Sequence, residues 1–99
     1  MDLAQFKQTL SQSRPPEGMP PLLQALWWDG RGDWERAHLV TQDEQGIDAA
    51  WVHAYLHRKE GDEWNAGYWY RQAGKTQCPA PFEVEWIEIV TALLLANSG

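Results

Sequence analysis

Residues 50–74 read AWVHAYLHRKEGDEWNAGYWYRQAG, and this stretch decides the fold. Gly61 stops one helical run, and Asp62 is placed to cap the next by accepting from its free backbone N–H groups. Gly74 ends the second run. The same grammar stands 29 residues upstream. There Gly32-Asp33 answers to Gly61-Asp62, Ala25 to Ala54 and Ala37 to Ala66, while Leu23, Leu26 and Trp27 answer to Val52, Tyr55 and Leu56. Leu39 and Val40 likewise answer to Tyr68 and Trp69. Self-similarity of this kind marks stacked helical units. It predicts two hairpins, about 22–43 and 49–74, each with a small Ala where the paired helices approach.

The flanks extend the same reading. Asp2 is positioned to cap a first helix carrying Leu3, Phe6 and Leu10, and RPPEGMPP (Arg14–Pro21) then breaks the chain. Pro21 suits the first turn of a second helix, Leu22–Asp29, ended by Gly30 and Gly32. Asp33 caps a third helix to about Asp43, and Asp48 is expected to cap a fourth from Ala49 to about Glu60. Arg58 and Lys59 fall in its last turn, where cations complement the macrodipole. Pro81 opens a sixth helix, Phe82–Asn97, with Glu83, Glu85 and Glu88 near its start, again with the favourable sign. No stretch alternates apolar and polar residues between turns. The expectation is one all-α domain over 1–99, with two hairpins flanked by an N-terminal helix and a C-terminal helix at 82–97.

The Ala50–Gly74 segment resembles one tetratricopeptide repeat, above all in GDEWNAGYWYRQA, where Gly61, Asp62, Ala66, Tyr70 and Ala73 fall at family-like positions. Leu22–Val40 is similar to a second, more degenerate copy. The match covers about half the chain, and its period of 29 departs from the family's, which is about 34. Such arrays rest on three or more units, so helices one and six, or a second subunit, would cap the pair. The string WVHAYLHRKEGD…NAGYWYR also resembles a group of small bacterial proteins without assigned activity, which implies a shared fold alone. In the tetratricopeptide family the first helix of each hairpin lines a concave surface. The resemblance therefore nominates Trp28, His53, Tyr55 and His57 as ligand- or partner-binding residues.

Composition narrows the partners. The chain has 99 residues and 14 acidic against 8 basic side chains, a net charge of −6. That balance argues against nucleic acid and anionic membrane surfaces, both of which need cations. The single Cys78 cannot form an internal disulfide. The N-terminal stretch lacks a signal-peptide pattern, and Ile89–Ala96 is far short of the roughly 20 apolar residues that span a bilayer. A cytoplasmic protein is expected. Phe82, Trp86, Ile89, Val90 and Leu93 make one apolar stripe of the last helix, and Ile87, Leu94 and Leu95 widen it. A homodimer through 82–97 follows as an expectation.

Chemistry-bearing residues are few. His53 and His57 stand four apart on one helical face, with Glu60 three further along and His38 on the preceding hairpin. Such a set can hold zinc if the imidazoles are neutral and converge. The metalloprotease pattern needs Glu after the first His, where this chain has Ala54. Against the metal stands the plainer reading of core-side histidines bonded to carboxylates. Asp33 and Asp62 read as caps, and Cys78 as an inert linker thiol. The function expected is therefore a helical binding or assembly module, without cofactor, taking a protein, a peptide or a small ligand on an aromatic and His-lined face. The alternative is a small metal-dependent or acid–base enzyme built on His53, His57 and Glu60, with His38 as a further candidate and zinc as the metal considered.

Overall fold

The computed structural model describes residues 1–97 and contains α1 (Leu3–Thr9), α2 (Pro21–Gly30), α3 (Trp34–Gln42), α4 (Ile47–Lys59), α5 (Glu63–Gln72) and α6 (Phe82–Ala96). The fold is all-α, with no strand among the described residues. Helix α2 packs chiefly on α3, and α4 chiefly on α5. Helix α3 also meets α4, and α6 lies against α1, α2 and α4.

The two turns between paired helices are built alike. Gly32 and Gly61 adopt φ of 85° and 87°, a region closed to most side chains. The next residue's N–H then reaches back across the turn: Asp33 donates to the Trp28 carbonyl and Asp62 to the His57 carbonyl, both at 2.9 Å. Each of these aspartates in turn caps the following helix, Asp33 accepting from the Arg36 N–H and Asp62 from the Asn65 N–H. Ala25, Ala37, Ala54 and Ala66 are all fully buried. Helix α1 starts with a full capping box between Asp2 and Gln5.

One expectation fails locally. Helix α4 is not capped by Asp48; it begins at Ile47 behind Gly46, whose φ of 105° turns the chain into the helix two residues earlier. Asp48 stays in the first turn, where its charge still has the favourable sign. Glu85 lies in the first turn of α6 as expected, with the favourable sign, and is also fully buried. Its carboxylate accepts from Tyr70 Oη at 2.6 and 2.8 Å, from Arg58 Nη1 at 2.9 Å and from Trp51 Nε1 at 3.2 Å. Arg58 also donates to the Ala80 carbonyl and lies over the Phe82 ring. Thus one buried carboxylate ties α4, α5 and α6 together, and burial with this partner pushes the Tyr70 hydroxyl well above the usual phenol range.

A second buried carboxylate joins the hairpins. Asp29 of α2 accepts from Tyr55 Oη at 2.6 Å and from Lys59 Nζ at 3.0 Å, both on α4. The core around these pairs contains Phe6, Leu23, Leu26, Trp27, Val52, Leu56, Ile89 and Val90. Indole N–H groups are satisfied within it, Trp27 by the Thr9 carbonyl and Trp86 by the Leu26 carbonyl. Trp86, Ile89, Val90 and Leu93 bury the inner stripe of α6, and Ile87 and Leu94 pack at its margin. Phe82, Val84 and Leu95 remain exposed. No helix among the described residues is long and apolar enough to cross a membrane.

Candidate functional site

Helices α3, α4 and α5 bring three imidazoles and two indoles to one face. His53 and His57 project from α4 one turn apart, their rings stacked at 6.0 Å between centroids. The α3–α4 contact sets His38 edge-on to both, at 5.5 Å from His53 and 5.2 Å from His57. Trp34, one turn before His38, stacks on it at 4.9 Å, and its Nε1 donates to the Leu56 carbonyl at 2.8 Å, which anchors the indole to α4. From the other side, Trp69 of α5 stacks on His53 at 4.3 Å. The imidazole cluster is thus bracketed by aromatic walls.

The polar atoms of this face are unevenly satisfied. His57 Nδ1 lies 2.8 Å from Glu60 Oε1. A carboxylate accepts, so Nδ1 donates to it and Nε2 is left free of this contact. His53 is only 6% exposed, and its buried Nδ1 finds no hydrogen-bond partner among the described residues. Burial, helped by repulsion from His38 and His57, pulls the His53 pKa down to about 4. Burial and His57 also lower that of His38, against a smaller upward pull from Glu60. Both rings are therefore uncharged at neutral pH. One nitrogen from each of His38, His53 and His57 falls within 4.8 Å of the other two. Beside His53 and Trp69, a cavity of about 380 Å³ opens toward Glu44, Ile47, Ala50 and Gln72.

The nominated residues divide. His53 and His57 belong to the cluster, and His38 joins them. Glu60 stands behind His57 as its hydrogen-bond acceptor. Tyr55 lies apart: two residues on from His53, it points into the core, where burial and Asp29 raise its hydroxyl pKa above the usual range. Trp28 is half-buried against the core, edge-on to Trp27 and beneath the Arg36 guanidinium. Trp34 and Trp69, which complete the face, were not singled out by sequence. The offset of 29 pairs Trp69 with Val40, so the repeat itself gave no sign of an indole stacking there. Compared with family models, curated proteins and solved structures, the chain matches none.

Proposed function

We propose that this chain is a helical binding module whose tetratricopeptide-like hairpins serve as the scaffold and whose working surface is the α3–α4–α5 face. One observation carries the reading: the buried, unpartnered Nδ1 of His53, set beside an open cavity and under an indole. An unmet buried polar atom costs about 1–3 kcal/mol, and a native structure has a reason for keeping one. A bound ligand that meets this nitrogen and stacks on Trp69 supplies that reason. Binding is favoured over acid–base catalysis because Glu60, the carboxylate expected to serve with these histidines, is already held by His57.

The test is a set of ¹H–¹⁵N correlation spectra recorded with small aromatic, anionic and peptide fragments. Binders should shift resonances of α3, α4 and α5 and lose that effect in His53→Ala. Fragments that perturb only residues outside α3, α4 and α5, or none that perturb the imidazole face, overturn the reading. Self-association through α6 is a separate proposal, supported by the exposed Phe82 and Val84. Light scattering that shows a monomer at every concentration removes it.

A further inference from the structure

We infer that His38, His53 and His57 together bind one divalent transition-metal ion of the zinc class, with Glu60 positioning His57 from behind. This rests on the α3–α4–α5 face being the working surface and names its ligand. The donors are already gathered, with three nitrogens within 4.8 Å of one another. Nitrogens around a tetrahedral zinc, each about 2.0–2.1 Å from the ion, stand about 3.3 Å apart. The nitrogens therefore have at most about 1.5 Å to close.

The cluster has the marks of a ligand set as well as its spacing. His53 offers a buried nitrogen that no group of the described residues satisfies. The contact with Glu60 leaves Nε2 of His57 free, and a carboxylate behind the ring is how ligating histidines are held in orientation. Trp34 and Trp69 stack on the flanks of His38 and His53 and restrict their rotation. An all-nitrogen set suits zinc, copper or nickel and discriminates against magnesium and calcium, which take oxygen. Three protein donors leave a tetrahedral ion one position for water or an exchanging ligand, unlike the closed four-ligand sites that only hold a fold together.

Titration of untagged, chelator-treated protein with cobalt(II) tests the site. The expected result is a visible ligand-field absorption that saturates at one equivalent and is displaced by zinc. It should vanish in His38→Ala and in His53→Ala, each checked for folding by circular dichroism. Should His53→Ala unfold, His38→Ala and His57→Gln, on less buried rings, carry the test. Glu60→Gln should retain one-to-one zinc binding but weaken it by about 10–100-fold with an unchanged melting temperature of the metal-free protein. No saturable one-to-one signal, or a signal unchanged in His38→Ala, overturns the metal centre. Unchanged zinc affinity in Glu60→Gln overturns the positioning role. The probe is the metal alone, so failure here is distinct from failure of the fragment-binding test, which reads the same face without metal.

Discussion

Replacing His53 with Phe should make the protein less sensitive to acid, because the buried imidazole must become charged as pH falls. In the folded chain its pKa is about 4, against 6.5 when solvated. The cause is first burial and then repulsion from His38 across the α3–α4 contact and His57 on its own helix. Glu44 borders the adjoining cavity. Between those two pKa values the unfolded chain binds the proton and the folded chain does not. Stability from this group is thus fully present above pH 6.5 and is lost as pH falls toward 4. At pH 5 the loss amounts to about 2 kcal/mol relative to pH 8, at about 1.4 kcal/mol per pKa unit. In His53→Phe the ring still stacks on Trp69 but cannot titrate. Urea denaturation followed by tryptophan fluorescence at pH 8, 6.5 and 5 reads the difference. The wild type should lose about 2 kcal/mol more than the variant over that range. Parallel pH profiles would refute the burial of an uncharged His53.

Other substitutions probe the scaffold. Ala66→Leu should overpack the contact with Ala54 and Tyr70 and cost about 1–3 kcal/mol in chemical denaturation. Arg58→Met leaves the buried Glu85 carboxylate without its cation and should destabilise by about 3–5 kcal/mol; a loss below about 1 kcal/mol would mean that the network is solvated. Gly61→Ala and Gly32→Ala meet no neighbouring atom, so each should cost only the left-handed backbone strain of about 1–2 kcal/mol. Unequal costs at these two sites would contradict turns of one design.

Punctuation was the legible part of this sequence. Gly-Asp pairs act within a few residues of themselves, so Gly32, Asp33, Gly61 and Asp62 announced both turns, and the alanines at matched offsets announced the close approaches. Gly46 was harder, because Asp48 offered an equally good local cap and only the backbone angle distinguished them. Glu85 was illegible for a different reason. Its partners Tyr70, Arg58 and Trp51 lie 15, 27 and 34 residues away, while its immediate neighbours describe an ordinary acidic helix start. The site was half visible. One-turn spacing placed His53 and His57 together, and His38 was a candidate by its hairpin. The stacking of Trp69 on His53 depends on the packing angle between α4 and α5, which no local pattern encodes. Tyr55 was nominated by its place on a first helix, yet a step of two residues carries it to the opposite side of α4 from His53.

That α3 and α4 gather three imidazoles as nitrogen donors is open to long-range ¹H–¹⁵N NMR of the histidine rings at pH 7, before and after one equivalent of zinc. His38 and His53 should each show one protonated and one bare nitrogen, His57 should carry its proton on Nδ1, and zinc should shift one bare nitrogen in all three rings. A doubly protonated His53, or zinc that leaves any of the three rings unshifted, would contradict it.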